Sequence, residues 1–211
     1  MNRPLQFPLI LSALLILWCP LAASSQGEFS STHEFLKATL KGEDKLNIEA
    51  KGDLNGDGLE DWAGVIERKR PDPSTTNQLY VLLRSGQSGY RVAEKSKDAQ
   101  IPGTGCCWVE NLEIKNSSIY IQNTAKSGNG MEVAIHQFKL YRGQWRLIGL
   151  LLKEYNPETQ DSTETDMNLL TGAVVEKKQK DEGTPIISRR NKKFPLSFLR
   201  DFDFYNGFGM E

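Results

Sequence analysis

From residue 45 onward, apolar and polar side chains alternate in short runs, each ended by Gly, Asn, Asp or Pro. Alternation with a period of two predicts strands, and breaks at this spacing predict the turns between them. Residues 46–50 alternate, 62–66 and 79–83 are apolar runs, and 90–93 follows the turn Gly86-Gln87-Ser88-Gly89 as the second arm of a hairpin. A further pair, 112–114 and 119–121, is joined through Lys115-Asn116-Ser117-Ser118. Residues 133–141 alternate without interruption, turn at Arg142-Gly143-Gln144 and lead into 145–152.

Ahead of these strands, 31–40 reads as a short helix. Ser31 stands at the capping position, Glu34 lies three residues on, and Phe35, Leu36 and Leu40 share a face. Beyond the last hairpin, 156–166 is polar and acidic and is expected to be a solvent loop. Residues 169–175 suggest one more strand, 177–183 is charged, and the aromatic end, 194–208, is expected to dock on the body. The fold class that follows is mainly β, an antiparallel sheet or sandwich with a short N-terminal helix. With no internal repeat, it is not a full propeller.

The first residues change the picture of where the chain works. Arg3, the apolar run 9–18 and the small residues Ala22, Ala23, Ser24 and Ser25 have the order of an export signal. Trp18 precedes Cys19, where a lipid-anchored cysteine needs a small neighbour, so ordinary cleavage is expected and residues 1–25 form a signal peptide. Residues 26–211 then make a single β-rich domain, destined for the periplasm or the exterior. No later segment reaches about 18 uncharged apolar residues, so no transmembrane span is expected. Lys and Arg number 26 against 27 Asp and Glu, a balance that offers no electrostatic case for nucleic acid.

The chemistry is concentrated between the first two strands, in Asp53-Leu54-Asn55-Gly56-Asp57-Gly58-Leu59-Glu60-Asp61. Counted from Asp53, side-chain oxygens fall at positions 1, 3 and 5, as Asp53, Asn55 and Asp57. Gly58 at position 6 permits the sharp turn, Leu59 at position 7 offers its backbone carbonyl, and Asp61 at position 9 binds directly or through water. Calcium is a hard ion that takes six to eight oxygens, and a curled loop turns every second side chain inward. Three aspartates so close repel one another until a divalent cation intervenes. The helical version of the motif places a bidentate Glu at position 12, where this chain has Gly64. With strand-like flanks as well, the site is expected to be a strand–loop–strand one holding a single Ca2+. The competing reading is an ion-free polar hairpin turn, since Asn-Gly and Asp-Gly are common turn formers.

The stretch from Gly52 to Trp62 resembles the core of FG-GAP or VCBS-type repeats of secreted bacterial proteins. The resemblance covers about 20 residues and implies a loop between two strands, with Asp53, Asn55, Asp57, the Leu59 carbonyl and Asp61 as calcium ligands. More loosely, 48–149 is similar to small exported bacterial proteins that carry one such loop. A single copy cannot build a propeller, so the adhesive roles of propellers do not transfer.

The remaining candidates are few. Cys106 and Cys107 are adjacent in Gly-Thr-Gly-Cys-Cys-Trp. A vicinal disulfide would be strained, because neighbouring Cα atoms are only about 3.8 Å apart. Free or intermolecular thiols and a working redox switch stay open beside it. His33 and His136 are the only histidines, and no Gly-x-Ser-x-Gly elbow accompanies them. His136, on a strand, reads as a surface or hydrogen-bonded residue. The functional expectation is an exported non-catalytic module that binds an unknown protein or polysaccharide, with calcium bracing its first hairpin. A calcium-dependent hydrolase of envelope polymers and a thiol-redox protein are the alternatives.

Overall fold

In a computed structural model, residues 28–70, 75–86, 89–101, 107–127, 130–181 and 183–204 are described. Residues 1–25, expected as a signal peptide, and Cys106, Tyr205 and Phe208 lie outside them. The chain forms two antiparallel sheets that divide the sequence between them. The first contains β1 (Glu28–Phe29), β2 (Lys45–Gly52), β3 (Asp61–Lys69), β4 (Thr75–Arg84), β5 (Tyr90–Lys95) and β6 (Ala99–Ile101), in the order β1-β5-β4-β3-β2 with β6 also on β4. The second is a meander of β7 (Cys107–Lys115), β8 (Ser118–Ser127), β9 (Gly130–Tyr141), β10 (Gln144–Asn156), β11 (Asp161–Asn168), β12 (Ala173–Gln179) and β13 (Ile186–Asn191). This is the expected β-rich architecture, and no barrel closes.

The hydrophobic pattern explains the layering. Ala63, Val65, Leu79, Val81 and Leu83 of the first sheet meet Val109, Leu112, Ile119, Ile121 and Phe138 of the second in the main core. The alternate residues of β3 and β4, Trp62, Ile66, Tyr80 and Leu82, bury their side chains against Phe35. Phe35 belongs to α1 (Thr32–Thr39), which lies over the outer face of the first sheet. Strands covered on both faces are apolar throughout, which is why 62–66 and 79–83 do not alternate.

Ser31 caps α1, accepting a hydrogen bond from the Glu34 amide at 3.2 Å. Glu34 reaches back one residue further than the motif suggests, to the amide and hydroxyl of Ser30, both at 2.6 Å. Two hairpins close with two-residue turns in the left-handed region, Asn116-Ser117 (φ 52° and 53°) and Arg142-Gly143 (φ 52° and 76°). Turns of that hand match the twist of the flanking strands.

The polar stretch 156–166 is not a loop. β10 runs to Asn156 and pairs in register with β11, from Gly149 opposite Asn168 to Asn156 opposite Asp161. Here the sheet extends beyond the main core, so polar residues can occupy strand positions, and Lys153 faces Glu164 at 3.5 Å across the pair. The next strand is also displaced. Residues 169–172 form the turn, and β12 begins at Ala173 and extends into the charged stretch that starts at Lys177.

After β13 the chain turns back over the second sheet. Phe194 packs on Leu150, Met167 and Val174, and the Ser197 carbonyl accepts from the Leu147 amide at 3.0 Å, beside β10 where β11 has ended. Leu199, Phe202 and Phe204 enter the main core. Of the aromatic end, the described part from Phe194 to Phe204 lies against the body. Among the described residues, no helix is long and apolar enough to cross a membrane.

Candidate metal centre

The loop between β2 and β3 is built by the two strands it joins. Gly52 pairs with Asp61 and Lys51 with Trp62, so the eight intervening residues must reverse the chain in a tight curl. Leu54 anchors that curl by entering the main core, where it is 1 % exposed, while residues 55–58 stand in solvent. Gly56 and Gly58 adopt φ of 81° and 78°, conformations open to glycine and costly for most side chains.

Inside the curl the predicted ligands are gathered by backbone amides. One Asp53 carboxylate oxygen accepts from Gly56 at 2.7 Å and Asn55 at 3.2 Å, and the other accepts from Gly58 at 2.9 Å. The Asn55 side-chain carbonyl accepts from the Asp57 amide at 3.0 Å, and Asp57 accepts from the Leu59 amide at 2.8 Å. The Asn55 amide group donates to the second Asp57 oxygen at 2.9 Å. The Gly58 amide, followed by those of Gly56, Asn55 and Asp57, holds the Asp53 carboxyl below the usual carboxylate range, so it stays charged.

Asp61 has a different setting. It is fully buried, and its two oxygens accept from the amides of Leu54 and Arg84, both at 2.8 Å. It therefore ties the loop to β4 as well as to its own hairpin. Burial pushes its carboxyl up, the two amides pull it down, and the charges of Asp57 and Asp53 push it up again. The loop exit is held once more where the Tyr90 hydroxyl donates to the Glu60 carbonyl at 3.2 Å.

The donor set fits a hard divalent cation in its chemistry. It offers carboxylate, amide and main-chain oxygens and no sulfur or imidazole. Among the described residues no group of three or more His, Cys, Asp or Glu side chains is arranged to hold an ion. The expected site instead includes Asn55 and the Leu59 carbonyl. Asp53, Asn55 and Asp57 are brought together by the curl, whereas Asp61 is engaged below them with the strand backbone. Each Asp61 oxygen keeps a second lone pair.

The missing position-12 glutamate has a steric cause that the sequence did not disclose. The Trp62 indole lies over Gly64 and donates from Nε1 to Glu49, the residue opposite Gly64 on β2. A Cβ on Gly64 would sit 2.2 Å from the indole ring. A side chain there would have to displace the indole from Glu49, so this arrangement leaves no place for a twelfth-position ligand. Glu49 was not singled out by its sequence; its alternation on β2 marks it as outward-facing but does not show its partner.

The other candidates lie apart from the loop. His136 is 1 % exposed on β9, its ring 4.9 Å from Phe202 in an edge-on contact, so it is a core residue. His33 is exposed on α1. Cys107 begins β7, but the possible vicinal bond falls outside the described residues. Compared with known protein families, curated proteins and solved structures, the chain matches none.

Proposed function

We propose that this is an exported, non-catalytic β-rich binding module whose Asp53–Asp61 loop is closed by one calcium ion, in the manner of FG-GAP and VCBS loops. The curl carries the reading: it holds the oxygens of Asp53, Asn55 and Asp57 against consecutive amides and leaves the cluster open to solvent. Asp53, Asn55, Asp57 and the Leu59 carbonyl would hold the ion, with Asp61 below them, bound directly or through water. The ion would neutralise the aspartates and brace the hairpin.

The partner is an unknown protein or polysaccharide. A depression of about 350 Å³ on the second sheet, edged by Asn111, Tyr120, Gln122, Gln137 and Asp166, offers the amide, hydroxyl and carboxylate groups that pair with sugar hydroxyls. The hydrolase alternative is weakened because His136 is packed in the core and cannot serve a loop-bound ion.

Equilibrium dialysis against radioactive calcium tests the proposal. One ion per chain is expected for the wild type and none for Asp57→Ala. Equal uptake by the two proteins, or no uptake at millimolar free calcium, would overturn it.

A further inference from the structure

A second concentration of charge, of the opposite sign, lies on the second sheet. The β9–β10 turn, the β11–β12 turn and the segment leaving β13 enclose a depression of about 560 Å³. Arg142, Arg146, Lys192 and Lys193 all line it, and no Asp or Glu does. None of the four forms an ion pair among the described residues. The chain as a whole carries a formal charge of −1, so this is a local accumulation and not a general basicity.

Arg146 is the centre of the arrangement. Its guanidinium carbon lies 5.4 Å from the Tyr141 ring centroid and 5.7 Å from that of Phe198, both within cation–π range. One terminal nitrogen donates to Gln144 at 3.0 Å. Its Nε is shut off from water and has no acceptor among the described residues. A half-buried cation with three cationic neighbours and no ion pair is unfavourable alone, and an anion bound at its accessible terminal N–H groups relieves the unpaired charge.

We infer that this depression binds a tetrahedral oxyanion, a phosphate or sulfate group, with Arg146 as the fork and Arg142, Lys192 and Lys193 as the surrounding charges. The planar fork of a guanidinium seated against aromatic rings matches two oxygens of such a group, and the lysines add point charge from the rim. The Thr171 hydroxyl and the Asn191 amide, also in the lining, supply neutral donors. Leu170 and Leu196, 47 % and 65 % exposed, give the rim an apolar side for whatever carries the anion, a sugar or a lipid headgroup.

Calorimetric titration of the whole protein with inorganic phosphate, in calcium-free buffer of low ionic strength, tests the inference independently of the calcium loop. Saturable binding is expected, weakened at least tenfold by Arg146→Gln and by the exposed pair Lys192→Gln/Lys193→Gln. The pair serves if the Arg146 variant fails to fold. Arg189→Gln/Arg190→Gln, outside the depression, should alter affinity less than twofold. Tighter binding of glucose 6-phosphate than of phosphate identifies a soluble phosphosugar as the carrier. Arg146-dependent binding to phosphatidic-acid vesicles identifies a headgroup, and either result supports the site. No saturable binding at about 10 mM phosphate, or equal losses in the Arg189/Arg190 control, would overturn it.

Discussion

A fully buried carboxylate is expensive unless its lone pairs are engaged, and at Asp61 the engagement decides how the loop is held. Its oxygens receive the amides of Leu54 and Arg84, one in the loop and one on the next strand. Asp61→Ala should leave both donors without an acceptor and cost about 2–6 kcal/mol in urea unfolding, at about 1–3 kcal/mol for each donor stranded. A loss below about 0.5 kcal/mol would show that the latch is not needed. Gly64 makes a separate prediction. With a Cβ placed 2.2 Å from the Trp62 ring, Gly64→Ala must displace the indole from Glu49 and should destabilise by about 1–3 kcal/mol in the same assay. Asp61 was legible from the sequence as an acidic position, but its burial was not, because the Arg84 amide comes from 23 residues away. Trp62 was legible as apolar, but the position of its ring over Gly64 depends on side-chain direction, which alternation does not encode.

At the scale of elements, α1 shows how a local signal is met and adjusted. Ser31 caps as its position suggests, while Glu34 bonds Ser30. The Ser30 hydroxyl, then its amide, and last the Lys37 charge lower the Glu34 carboxyl below its ordinary range, against a smaller upward push from burial. A depressed folded pKa stabilises above the unfolded value and loses that contribution as pH falls through the folded one. Thermal unfolding should therefore separate wild type from Glu34→Gln near neutral pH, and the two curves should converge in acid. A separation that persists or grows in acid would contradict the assignment. Hairpins 112–121 and 133–152 were readable because both alternation and turn residues are local. β11 was not, since Asp161 to Asp166 carry no apolar residue and their strand is dictated by pairing with β10. β13 is exposed along its whole length, so it too lacked a burial pattern to read.

On the scale of the molecule, the C-terminal segment completes a core that the two sheets leave open. Phe202 meets His136, Phe138 and Phe204 with ring centroids 4.9–5.0 Å apart. Phe202→Ala should cost about 3–5 kcal/mol by chemical denaturation, and a loss under about 1 kcal/mol would mean that the segment merely rests on the surface. The Asp53–Asp61 loop sits at the opposite extreme of burial, with Asn55 and Asp57 exposed to solvent on a hairpin that joins the edge strand β2 to β3. An ion there would act on the whole fold through β3 and β4. Thermal unfolding of the protein in excess calcium and in excess chelator tests this most directly. At calcium about 100-fold above its dissociation constant, the native state gains about 2.7 kcal/mol, and Tm should rise by about 5–10 °C in wild type and not in Asp57→Ala. A wild-type Tm that is the same in both buffers would contradict a calcium-braced hairpin.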